Sequence, residues 1–276
     1  MEALYLLNKE NEVYIIALCF TLPRIYAFMQ AAQLLTPPLV PRMPSTAIVI
    51  MIAMTICPMH IQYAESFDHS IATVAVIIAK EYAIGFMLGY LVSWVFWAVE
   101  SAGSFIDSQR GAAIAEAIDP IRGDQTSLLG NLFTQAFLAY IFITGTFLIM
   151  LGLLYKSYTV WAVPALFPTI DESFPAKVLS LFDTAMELAF VIAAPILALM
   201  FLAEFSLALL SRFAPQIQVF ILSMPIKSIL ASIFLIFYFG ILLPHADQYL
   251  ASAEAFMNWA YEAVRLHRDA GSLPQQ

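Results

Sequence analysis

Long uncharged apolar runs constrain this chain more than any other feature. Residues 128–154 carry no charge over 27 positions, 82–99 none over 18, and 43–64 none at all; 185–210 is interrupted only by Glu187 and Glu204. A helix of roughly 20 apolar residues crosses a bilayer, and only helices or closed barrels satisfy every backbone group there. Barrel strands alternate apolar and polar positions, whereas these runs are continuous. They predict an all-α, polytopic helical membrane protein. Composition agrees: of 276 residues, 62% are hydrophobic and 12% charged, with a mean hydropathy of +0.83. A soluble domain holds about 45–50% apolar and about 25% charged residues.

The apolar pattern predicts main helices near residues 12–35, 45–64, 71–106, 126–155, 177–212 and 217–243. Between the first two, residues 36–46 hold Pro37, Pro38, Pro41 and Pro44, which predicts a stiff extended link. The linker 156–176 sets off a helical part, 1–155, from a later pair of helices, 177–243. Those two helices meet around Ser211–Gln218, too short a junction for anything but an antiparallel hairpin, with Pro215 at the turn and Pro195 and Pro225 expected to kink its arms. The tail, 244–276, predicts an amphipathic helix near 247–267, with Leu250, Phe256, Met257, Tyr261 and Val264 sharing a face. Glu2, Lys9, Glu10 and Glu12 precede the first run, a pattern that does not read as a cleavable leader.

Charges inside apolar segments are costly and are usually paired or functional. They fall at Arg24, Lys80, Glu81, Glu187, Glu204 and Lys227. Glu204 lies eleven residues before Pro215 and Lys227 twelve after it, so on a hairpin both sit at similar depth. A proton-relay carboxylate and a simple ion pair both remain open for Glu204, and pairing is the favoured reading. In the third helix Gly85, Gly89 and Ser93 recur every four residues, a ridge that lets another helix backbone come close, within the chain or from another subunit.

Several function classes lack their residues. No H-E-x-x-H, G-x-S-x-G or phosphate-binding loop occurs. His60, His69, His245 and His267 show no metal-ligand spacing, and no cofactor is indicated. The net charge of −8 contains no Lys/Arg cluster, which argues against nucleic acid. Cys19 and Cys57 lie in apolar runs, where a thiol behaves as a small hydrophobe. A secondary transporter would use repeated broken helices; Pro195, Pro225 and Glu204 suit it, but no repeated pair exists.

One stretch breaks the pattern. ESAGSFIDSQRGAAIAEAIDPIRGDQTS, residues 100–127, carries Gly103, Gly111, Pro120 and Gly123 among charged side chains. Within it, Ala112, Ala113, Ile114, Ala115, Glu116, Ala117 and Ile118 favour a short slim helix, closed by Asp119 and Pro120 and followed by Ile121, Arg122 and Gly123. Asp107, Glu116, Asp119 and Asp124 do not follow the calcium-loop spacing, and Arg110 and Arg122 oppose a cation site. Such a composition suits a loop that lies inside protein, filling a passage and able to leave it.

Ile106-Asp107-Ser108-Gln109-Arg110-Gly111 with Ile118-Asp119-Pro120 resembles the SctT/SpaR/FliR family of type III secretion export-apparatus proteins. Leu22-Pro23-Arg24, the Glu81, Gly85, Gly89 series, and Ser211-Arg212-Phe213-Ala214-Pro215-Gln216 match the family in the same order. The charged form at Asp107, Gln109, Arg110 and Gly111 resembles the injectisome branch, SctT, more than the flagellar branch, FliR. The resemblance implies a non-enzymatic subunit of a conical export gate in the bacterial inner membrane, within the basal body. It implies an SctR-like part followed by an SctS-like hairpin, assembled with SctR-like and SctS-like subunits. It further implies the SctU switch protein near Arg212–Gln216, the inner rod and needle above, and unfolded proteins as cargo. Residues 112–123 would be a pore plug within the loop 106–125. Lys80, Glu81, Gly85, Gly89, Glu187, Glu204 and Lys227 would serve helix packing and subunit interfaces.

Overall fold

A computed structural model describes residues 2–35, 41–65, 71–111, 127–164, 174–214 and 221–242, with Ala255 and Asn258 of the tail. The described residues form helices and turns, without strands. The helices are α1 (Glu2–Ala31), α2 (Arg42–Ile56), α3 (Ile61–Glu65), α4 (Ile71–Gln109), α5 (Leu128–Thr144), α6 (Thr146–Val160), α7 (Phe174–Phe213) and α8 (Ile221–Leu242). Among the described residues, five helical stretches are long and apolar enough to cross a membrane, or six if α5 and α6 count as one broken span.

The six main expected helices appear among the described residues, with three differences; the expected tail helix and the short helix at 112–118 lie outside them. The stiff link gives way to helix at Arg42: Pro41 is extended, at φ −55° and ψ 152°, but Pro44 sits in the first turn of α2. First-turn N–H groups have no helical partner, so proline loses nothing there. Pro58 converts the end of the second span into a tight 3-10 turn, Cys57–His60, before α3. The expected single helix 126–155 breaks at Gly145, which adopts φ +77°. Open space surrounds that glycine, so conformation and not crowding demands it. Pro195 lies within the unbroken α7.

The chain divides into two compact units that interleave along the sequence. One comprises Met1–Ser93, Gly145–Val178 and Ser252–Gln276; the other comprises Trp94–Thr144 and Leu179–Ala251. In the first, α1 packs on α2 and α3 around Ala17, Cys57 and Ala64, with Phe20 against Tyr63 at 5.7 Å. The N-terminal half of α4 meets α1 through the glycine ridge. A Cβ on Gly85 would collide with the Arg24 carbonyl oxygen, and one on Gly89 would lie 2.6 Å from the Phe28 oxygen. The ridge is thus used inside the chain.

In the second unit, α4 crosses α5 at another glycine pair. A Cβ on Gly103 would lie 2.6 Å from Gly130 Cα. Phe96 meets Phe137, Phe105 stacks on Phe190, and Phe133 meets Phe239. Between α7 and α8, Tyr238 donates to the Ile192 carbonyl at 2.8 Å and Lys227 reaches Glu204 at 3.2 Å. As one number of each pair rises the other falls by almost the same step, so the two helices run antiparallel.

Candidate functional site

Two clusters of polar side chains stand out, one in each unit. In the first unit Arg24, on α1, is wholly buried beside Pro23. Its Nε donates to Glu81 Oε2 on α4 at 2.6 Å, Nη1 to Ser157 Oγ at 3.2 Å and Nη2 to the Trp161 carbonyl at 2.9 Å. The guanidinium lies 4.2 Å from the centre of the Tyr158 ring, whose hydroxyl donates to the Thr21 carbonyl. Lys80 Nζ sits 2.8 Å from Glu81 Oε1 and donates to the Val163 carbonyl at 2.6 Å.

One buried carboxylate therefore holds two cations, and the cations grip carbonyls at the end of α6. The negative end of a helix dipole suits this. Glu81 makes the arrangement tolerable, because an unpaired buried charge costs several kcal/mol. The sequence singles out Arg24, Lys80 and Glu81 as charges within apolar segments. It does not single out Ser157, Tyr158 and Trp161, whose role depends on a fold that brings residues 133 to 137 positions apart into contact.

In the second unit the cluster surrounds Asp107 in the last turn of α4. Asp107 Oδ1 accepts from Arg110 Nε at 2.8 Å. Its Oδ2 accepts from the Ser127 hydroxyl at 2.6 Å and from the Leu129 backbone N–H at 2.8 Å. Ser127 in turn accepts from the Gly130 N–H at 2.8 Å, capping α5. A buried carboxylate from one helix thus satisfies the N-terminus of the next, where the positive dipole end favours it. The effect is a clasp: residues 107 and 127 are joined, closing the stem of the segment between them. Ser127 is thus the N-cap residue of α5.

Gln109 and Gly111 complete the turn. Gln109 Nε2 donates to Glu204 Oε2 at 3.3 Å, the same oxygen that Lys227 reaches at 3.2 Å. Gly111 adopts φ +86°, a left-handed conformation that a side chain would oppose. Glu187 is exposed on α7 and has no polar partner among the described residues. Arg212, Phe213 and Ala214 end α7, with the Ala214 N–H donating to the Leu210 carbonyl; Phe213 is exposed. The plug residues 112–123, and Pro215 and Gln216 of the hairpin turn, lie outside the described residues, as does most of the tail. Among the described residues no group of three His, Cys, Asp or Glu side chains is arranged to hold a metal.

Apolar spans, sequestered charges and glycine-mediated helix crossings define a polytopic helical membrane protein. Comparison with known sequences gives the family. The profile of the bacterial export proteins, family 1, matches residues 15–253. The chain is 43% identical over 176 residues to Yop proteins translocation protein T of Yersinia pestis, covering 64% of this chain and 67% of that protein. It is 34% identical over 228 residues to surface presentation of antigens protein SpaR of Salmonella typhimurium, covering 81% and 83%. It is 35% identical over 159 residues to flagellar biosynthetic protein FliR of Bacillus subtilis, covering 57% and 61%. The chain belongs to the bacterial export proteins, family 1.

Proposed function

We propose that this chain is a structural and gating subunit of a type III secretion export gate of the injectisome branch, passing unfolded proteins across the bacterial inner membrane. Family membership and 43% identity to a Yop translocation protein support the branch. The observation that carries the gating role is the Asp107 clasp, which ties the end of α4 to Ser127 and Leu129, the described residues that flank the proposed plug on its two sides. A stopper needs such a design, with a firm base and a small, breaker-punctuated body.

In this reading residues 1–155 act as an SctR-like part and 177–243 as an SctS-like hairpin. SctR-like and SctS-like subunits and membrane lipid cover the exposed apolar surface, which is large on α8, where only 17% of the most apolar window is buried. Glu187 and the exposed part of Glu204 meet these subunits. The turn 212–216 faces the SctU switch protein, and the inner rod and needle sit above. The role is non-enzymatic and needs no cofactor, and the place of work is the basal body. The 35% identity to a flagellar protein supports a second reading, a flagellar export gate.

Deleting residues 112–123 tests the gate. The chain should still co-purify with its partner subunits, and the membrane should leak ions or small solutes. A membrane that stays tight in cells holding the assembled variant removes the plug.

A further inference from the structure

The last turn of α4 has two tethers on different sides. Asp107 and Gln109 are two positions apart, which on a helix turns the side chains by about 200°. Asp107 looks to the start of α5, and Gln109 reaches α7, 95 residues away in sequence. The Glu204 oxygen that accepts from Gln109 also accepts from Lys227 of α8, so one atom joins three helices. A second contact runs the same way: a Cβ on Gly111 would lie 3.5 Å from the Met224 side chain of α8.

We propose that Glu204 is a positioning residue that ties the α7–α8 hairpin to the stem of α4, so that hairpin movement is transmitted to the turn ending at Gly111. This rests on the gating role proposed above. The Glu204 side chain is 46% exposed and its pair with Lys227 spans 3.2 Å. An ion pair so open contributes little stability by itself. Its value is the connection, and a connection of this strength breaks and re-forms readily. Asp107, buried with several short bonds, is the fixed tether; Glu204 is the releasable one.

Amide hydrogen exchange in the assembled complex, with the full chain, reads the tether. The Arg110 N–H donates to Ile106 and the Gly111 N–H to Ser108, and these are the amides that the tether steadies. In Gln109→Leu, which leaves the Glu204–Lys227 pair intact, both should exchange about tenfold faster, the effect of losing one charge-assisted hydrogen bond. The Leu129 and Gly130 amides, held through Asp107 and Ser127, should keep their rates. Glu204→Gln retains an acceptor and should stay within about threefold of the parent. Unchanged exchange at Arg110 and Gly111 in Gln109→Leu overturns the proposal. Equal acceleration at Leu129 and Gly130 also overturns it, because the effect is then general loosening. Failure of the gate itself shows in a different measurement, the ion-tightness of the membrane after deletion of 112–123.

Discussion

The α1–α4 contact of the first unit and the α7–α8 hairpin of the second begin from the same material: apolar helices with a few charges at mid-span. Their outcomes differ. In the first, Arg24, Lys80 and Glu81 satisfy one another, and two glycines press helix against helix. The most apolar window of α1 is 44% buried, and that of α4, a helix whose residues belong to both units, is 67% buried. In the hairpin, that window is 33% buried on α7 and 17% on α8, Glu187 is exposed and Glu204 is half-exposed. A charge sealed inside its own chain serves folding. In the hairpin the charges stay near the surface: Glu204 keeps Lys227 and Gln109 while half-exposed, and Glu187 has no polar partner among the described residues.

The largest effect expected from breaking this contrast is at Glu81. Glu81→Leu strands Arg24 and Lys80 in an apolar interior, a loss of ~3–5 kcal/mol, and the chain should scarcely accumulate in membranes. Combining it with Arg24→Met should restore part of that abundance, since removing both partners costs less than orphaning one. If the double variant accumulates no better than Glu81→Leu, the pair is not the reason for the loss.

Gly85→Ala comes next. The added methyl meets the Arg24 backbone, which has no flexible side chain to move aside. Overpacking of this kind costs ~1–3 kcal/mol and should lower the thermal midpoint of the purified complex by several degrees. An unchanged midpoint would show that the helices separate without cost.

Asp107→Asn is smaller, ~1–2 kcal/mol, because it weakens a cap and one ion pair. It should leave co-purification intact and raise ion leak through the assembled complex. A tight membrane together with full assembly would separate the clasp from the gate.

Glu187→Gln should change the stability of the chain by less than ~0.5 kcal/mol, as an exposed substitution does. Its effect should appear only in recovery of partner subunits. Recovery equal to the parent would place Glu187 outside any interface and weaken the contrast with the first unit.

Much of this fold was legible in the residues. Helix positions follow from apolar runs and from proline and glycine, all of them local signals. The similar depth of Glu204 and Lys227 followed from counting residues along a hairpin, and the structure brings them to 3.2 Å. The break at Gly145 was not legible, because an isolated glycine in an apolar helix looks the same whether its φ is negative or positive. Gly130 was missed for a related reason: its use depends on Gly103 arriving opposite it from another helix.

By itself, the sequence determined that this is a helical membrane protein, where its spans lie and which charges they carry, because hydrophobicity and backbone freedom act over a few neighbouring residues. Tertiary structure alone decided what each charge touches. Arg24 meets Glu81 across 57 positions and Ser157 across 133, while Asp107 closes a stem with Ser127. Those pairings depend on which helix faces meet and how closely, and that is set by packing between segments that are strangers in sequence.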